Sequence, residues 1–136
     1  MRTYPRLDER TGRVVGCEID NVYIGLSALG RTLCSVDGVT DVRRRKPFSK
    51  WEEIHLWFRY KGTECVVWEP YGDSSRYWIG QSNSPEPVDI AAIEEAFKHY
   101  KPPLHRQVLG DISTLHFLKK LLGRDDEWRR VNPPPP

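Results

Sequence analysis

The stretch Glu53-Ile54-His55-Leu56-Trp57-Phe58-Arg59-Tyr60-Lys61-Gly62-Thr63-Glu64-Cys65-Val66-Val67-Trp68-Glu69 decides the fold. Its first half alternates with the two-residue period of a strand. Ile54, Leu56, Phe58 and Tyr60 fall on one face, and His55, Trp57 and Arg59 on the other. Lys61-Gly62 is suited to a two-residue hairpin loop, because glycine takes the positive φ such turns need. Thr63 to Glu69 then returns as the partner strand. The loop sets a register in which Tyr60 faces Thr63, Phe58 faces Cys65 and Leu56 faces Val67. On the other face Arg59 meets Glu64, Trp57 meets Val66, and His55 meets Trp68.

Downstream, Glu69-Pro70-Tyr71-Gly72-Asp73-Ser74 is rich in turn formers and leads into a further strand from Ser75 to Gly80. Upstream, Val39 to Arg44 reads as a strand that Pro47 ends. These four segments make an antiparallel meander sheet of about four strands. Before them, Met1 to Gly12 reads as a polar, loose segment, and Arg13 to Ile19 as a first strand. Leu26, Leu29 and Leu33 share one face of a helix over Gly25 to Ser35, with Asp37-Gly38 as its exit. After the sheet, Gln81 to Pro87 is a polar linker. Asp89 caps a helix to Tyr100 with Ile90, Ile93 and Phe97 as its buried stripe, and Pro102-Pro103 stops it. A last helix is expected from Ile112 to Leu122, with Leu115 and Leu118 on its apolar face and Gly123 closing it.

The expected class is therefore α+β, with one N-terminal helix and two C-terminal helices packed on the sheet. The C-terminal pair is expected on one sheet face, with the other face covered by the first helix or left partly open. Residues 1–123 form the expected single domain, and 124–136, charged and ending in four prolines, a mobile tail.

A chain of 136 residues suffices for one core. With 21 basic and 19 acidic residues, formal charge +2, it lacks the strong excess of a dedicated nucleic-acid binder. No apolar run spans a membrane, and the N-terminus lacks the apolar core of a signal peptide, so the expected setting is the cytoplasm. Cys17, Cys34 and Cys65 are too scattered for a disulfide framework or zinc knuckle and read as small core residues.

Catalytic patterns are wanting. His55, His99, His105 and His116 have no metal-ligand spacing. Glu64, Glu69 and Asp73 echo a magnesium-dependent nuclease only faintly, since no lysine follows either glutamate at the needed step and Arg59 and Arg76 can pair with them. Ser74, Ser75, Ser82 and Ser84 sit in no nucleophile elbow. The chain therefore reads as a non-enzyme, with no cofactor, metal or small-molecule substrate expected. What remains is an aromatic set, Trp57, Trp68, Tyr71, Tyr77 and Trp78, beside Asp73 and Arg76. Tryptophan, tyrosine and arginine dominate protein interfaces, although each strand aromatic is first expected as a core packing residue. A basic run, Arg43-Arg44-Arg45-Lys46, with Arg31, Lys50, Trp51 and Trp57, gives the alternative of a nucleic-acid-binding module.

The run Val66-Val67-Trp68-Glu69-Pro70-Tyr71-Gly72-Asp73-Ser74-Ser75-Arg76-Tyr77-Trp78-Ile79-Gly80, within a compact α+β layout, resembles the small cytoplasmic immunity proteins of bacterial contact-dependent growth inhibition and related polymorphic toxin systems. The resemblance is one of type and carries no individual functional residue. It implies one protein partner, a cognate toxin domain, often a nuclease, whose active or substrate-binding surface is covered. Trp57, Trp68, Tyr71, Asp73, Arg76 and Trp78 are the expected contact residues, with Glu52 and Glu53 as a polar rim. Glu94 and Glu95, on the expected exposed side of the second helix, could add acidic surface.

Overall fold

The computed structural model describes residues 1–46, 53–70, 75–83, 86–113 and 115. It divides into two units, residues 1–102 and 103–136. The first unit is α+β. In chain order it contains β1 (Thr3–Leu7), β2 (Val14–Asp20), a short 3-10 turn (Asn21–Tyr23), α1 (Leu26–Cys34), β3 (Val39–Arg44), β4 (Ile54–Tyr60), β5 (Thr63–Trp68), β6 (Arg76–Gln81) and α2 (Ala91–His99).

The strands form one antiparallel sheet in the order β1-β2-β6-β5-β4-β3. It has six strands where four are expected from sequence. Residues 3–7 are a strand rather than a loose segment, and β2, the first strand expected from sequence, pairs with β6. The chain leaves β2, crosses one face through α1, and enters at the far edge as β3. The four central and edge strands β3–β6 then return as the expected meander.

The β4–β5 hairpin closes through Lys61 and Gly62, with φ of 48° and 81°. Both values are positive, as a turn that follows strand twist requires. Five of the six expected cross-strand pairs are present, from Tyr60–Thr63 to Leu56–Val67. The sixth is corrected by a bulge. Ile54, not His55, stands opposite Trp68, so His55 is an extra residue. A single insertion reverses the facing of everything before it. Ile54 therefore leaves the side of Leu56, Phe58 and Tyr60, and His55 packs edge-on against buried Tyr77, ring centroids 5.6 Å apart.

Both helices of this unit pack on the same sheet face. Leu29 and Leu33 of α1 and Ile93 and Phe97 of α2 join Cys17, Ile19, Leu56, Phe58, Tyr60, Cys65, Val67 and Ile79 in one buried cluster. The stripes expected from sequence thus meet the expected strand face, but α1 lies beside α2 and not on the opposite side. Ala91 N–H, at the start of α2, donates to Asp89 Oδ1 (2.9 Å), but the N-cap is Ile90, one residue beyond the expected Asp89, and it makes no side-chain capping bond. Glu94 is buried rather than exposed. Its Oε1 accepts from Thr3 Oγ1 at 2.8 Å and lies 3.3 Å from Lys98 Nζ, while Glu95 is exposed. A carboxylate this buried is tolerated because it is hydrogen-bonded and charge-paired.

The sheet's outer edges are both irregular. β1 carries Pro5, which lacks an N–H. β3 is bulged between Thr40 and Arg43, with Asp41 in the left-handed region at φ 52°, and ends in Arg43 and Arg44. Such features oppose edge-to-edge strand pairing.

In the second unit, residues 104–113 are helical, and the Arg106 and Gln107 N–H groups donate to the Pro103 carbonyl (2.9 and 3.1 Å). The helix thus opens well before Ile112, the expected start. Pro103 opens this helix as well as following α2, in keeping with the tolerance of proline at helix starts. The expected continuation at 116–122, and the expected tail at 124–136, lie outside the described residues.

The cysteines divide. Cys17 and Cys65 are buried, as expected, but Cys34, the last residue of α1, is exposed. Burial pushes the Cys17 thiol up to about 12 and the Cys65 thiol to about 11. Thiolate is the reactive form, so Cys34 should be the one thiol titrated by a disulfide reagent in the native protein. All three should react in denaturant. Rapid native reaction of two or more thiols would contradict this packing.

Candidate protein-binding face

Strand alternation dictates what the other sheet face carries. The residues between the core positions turn away from both helices, and cross-strand pairing lines them up in rows. One row runs Arg43, Trp57, Val66, Gly80, Gly16, Arg6, through all six strands. The next runs Ile54, Trp68, Trp78, Glu18, Tyr4. No described helix of residues 1–102 packs here. Trp57, Trp68 and Trp78 are half-buried, whereas Tyr77, which points the other way, is core. The expectation of core burial therefore holds for Tyr77 and is corrected for the three tryptophans.

The face is shaped by two glycines. Gly16 and Gly80 are direct cross-strand partners, and the Trp78 indole lies over both. A Cβ on Gly80 would come within 2.4 Å of the ring, and one on Gly16 within 3.0 Å. The missing side chains are thus what let Trp78 lie flat along the sheet. Trp68 meets it edge-on, with centroids 6.3 Å apart and planes at 69°, an arrangement aromatic quadrupoles favour. Around this pair is an open concavity of about 1030 Å³, whose lining includes Ile54, Val66, Glu18, Glu53 and Arg6.

Arg76 is placed by β6 opposite Asp20. Its guanidinium binds Glu18 Oε2 (3.1 Å) and Asp20 Oδ1 (3.2 Å) and stacks 3.9 Å from the centroid of the Tyr4 ring. Tyr4 Oη in turn donates to Asp20 Oδ2 at 3.3 Å. This arginine therefore knits β1, β2 and β6 together at the border of the face. Further along, Arg59 lies 3.6 Å from Glu64, the charge pair expected across the hairpin, and 4.0 Å from Asp41.

Of the contact residues expected from sequence, Trp57, Trp68 and Trp78 share this face, Glu53 lines the concavity and Arg76 borders it. Glu52, Tyr71 and Asp73 lie outside the described residues, as do Lys50 and Trp51 of the basic run. Sequence reasoning placed Val66 opposite Trp57, as observed, but missed Ile54, Arg6 and Glu18 as companions of the tryptophans. The bulge hid the first. Pairing between strands distant in sequence hid the last two. Within the basic run, Arg43 stands opposite Trp57, while Arg44 Nη1 donates to Ser27 Oγ (3.2 Å) on α1.

His55 sits behind the face. Its Nε2 lies 3.3 Å from Glu69 Oε1, and its buried Nδ1 has no hydrogen-bond partner among the described residues. Burial pulls its pKa below the ordinary value near 6.5. Glu69 opposes that shift, and Arg45 reinforces it. The unfolded chain consequently takes up this proton first as pH falls through about 6.5. The stability contribution is full above that pH and declines below it. Thermal melts at pH 7.5 and 5.5 should show a larger acid loss for the native protein than for His55→Gln. Equal losses would remove His55 as the source.

Among the described residues, no group of three or more His, Cys, Asp or Glu side chains is placed to hold a metal ion, and no helix is long and apolar enough to cross a membrane. No family model, curated protein or solved structure matches this chain.

Proposed function

We propose that this chain is a non-enzymatic protein-binding protein, an immunity protein that neutralises a cognate bacterial toxin domain by covering its active or substrate-binding surface. The observation that carries the binding reading is the set of half-buried tryptophans, in two adjacent cross-strand rows, on the sheet face opposite both packed helices. Large aromatic rings held rigidly on strands supply contact area at small entropic cost, and they concentrate binding energy when water is excluded around them. The mixed border of Arg6, Glu18, Glu53 and the Arg76 network suits a polar rim. The toxin assignment rests on the resemblance in type described above.

The test is genetic and biochemical. The C-terminal domain of the large neighbouring reading frame is expressed with and without this chain. Rescue of growth and a stable co-purifying complex are the expected results. A harmless neighbour, or toxicity this chain does not relieve, would discard the pairing.

One observation favours a second reading. The row through Trp57 has an arginine at each end, Arg43 and Arg6, as a single-stranded nucleic acid stacked on the sheet would need. Against it, Glu18, Asp20 and Glu64 are borne by the same strands. Binding to a labelled oligonucleotide that weakens steeply with salt would support this reading; no binding at low salt would end it.

A further inference from the structure

We propose that the corner between Trp68 and Trp78 receives a single cationic side chain, an arginine or lysine, from a protein partner. The inference rests on the protein-binding reading and names the chemistry of its central contact. Three observations support it. First, the two indoles are fixed at 69° with centroids 6.3 Å apart, Trp78 resting on Gly16 and Gly80, so the corner exists before anything binds. Tryptophan is the strongest aromatic acceptor of a cation.

Second, the concavity that both rings line also contains two carboxylates, Glu18 and Glu53. Glu18 stands next to Trp78 in register and is held by Arg76 Nη1 at 3.1 Å. Glu53 forms no ion pair among the described residues and lies beside Ile54, the cross-strand partner of Trp68. Third, the local charge has the complementary sign. The charged residues lining the concavity, Glu18 and Glu53 against Arg6, leave a formal −1, on a chain that is +2 as a whole. Charge of that sign beside an aromatic corner attracts a cation and disfavours an acidic side chain.

The two possible cations differ in fit. A guanidinium is planar, so it can lie against an indole and still direct N–H groups at a carboxylate, whereas an ammonium does so only as a point charge. Arginine is the preferred guest.

The experiment titrates the full chain, labelled with nitrogen-15, with the blocked tripeptide acetyl-Gly-Arg-Gly-amide at low salt. The readout is the indole N–H resonances, assigned by single Trp→Phe variants. The neutral isostere with citrulline in place of arginine is the control. The Trp68 and Trp78 resonances should shift and saturate with the arginine peptide, and the citrulline peptide should bind at least about threefold more weakly. Glu53→Gln, at an exposed strand end, should leave the spectrum otherwise intact and weaken the arginine peptide about twofold or more. Equal response to citrulline would make the corner a plain apolar slot and overturn the proposal. So would shifts confined to other tryptophans, or none up to about 50 mM peptide, beyond the weakest affinity that one such contact should show. A chain that rescues growth but fails this titration keeps its partner and loses this contact. A chain that binds the arginine peptide but rescues nothing keeps the corner and loses the toxin assignment.

Discussion

Trp68→Ala is expected to weaken the proposed complex with a toxin domain by about 2–4 kcal/mol, roughly 30- to 1000-fold in Kd. The reason is geometric. Trp68 stands at the centre of the face turned away from the helices, between Ile54 and Trp78, and borders the open concavity. Truncation removes a large ring that a partner would desolvate and leaves the edge of Trp78 without its T-shaped neighbour. Because Trp68 lies outside the buried cluster, the thermal midpoint should move far less than for a core truncation. Affinity by calorimetry and melting by circular dichroism separate the two effects. Unchanged affinity with a partner already in hand would show that the toxin binds elsewhere, for instance through Tyr71 and Asp73 or through a helix.

Phe97→Ala is expected to do the reverse. Phe97 is fully buried and belongs to the stripe with which α2 covers the sheet. Truncating a buried phenylalanine costs about 3–5 kcal/mol, through lost transfer energy and the cavity left behind. A domain of this size has about 5–15 kcal/mol in total. About a fifth of the stability or more is therefore at stake, and each kcal/mol corresponds to roughly 4–8 °C in Tm. Chemical denaturation should show the loss as an earlier midpoint. Wherever the variant remains folded, affinity for the partner should be preserved, since Phe97 points away from the tryptophan face. A Phe97→Ala protein as stable as the native one would contradict the packing of α2.

The sequence made some of this visible and hid the rest for identifiable reasons. The β4–β5 hairpin could be read because alternation and the Lys61-Gly62 turn are local signals that agree. The bulge at His55 could not, because an inserted residue leaves the alternating letters unchanged and shows only in the pairing. β1 was obscured by Pro5 and by Arg2 and Arg6, which are poor strand signals in isolation and tolerable at an edge. The helical stripes of α1 and α2 were plain, but which sheet face each would cover depends on the crossover from β2 to β3. That choice alone determines whether Trp57, Trp68 and Trp78 are core or surface. Their identity as candidates was therefore legible, while their exposure was not. The seat of Trp78 on Gly16 and Gly80 joins residues 64 positions apart, and no local pattern announces it.

The division of each strand between its two sides has a consequence for how such a molecule can change over generations. Along β4, β5 and β6, residues that build the core alternate with residues that face outward, and neither outer strand offers regular backbone for pairing. Recognition is then written in side chains alone, at every second position. On the proposed binding reading, point substitutions at Trp57, Trp68 or their exposed neighbours would redirect the molecule to a new partner, one residue at a time, while the intervening residues keep the scaffold unaltered. A lineage pressed to follow a changing adversary could explore that face without first having to survive a loss of fold.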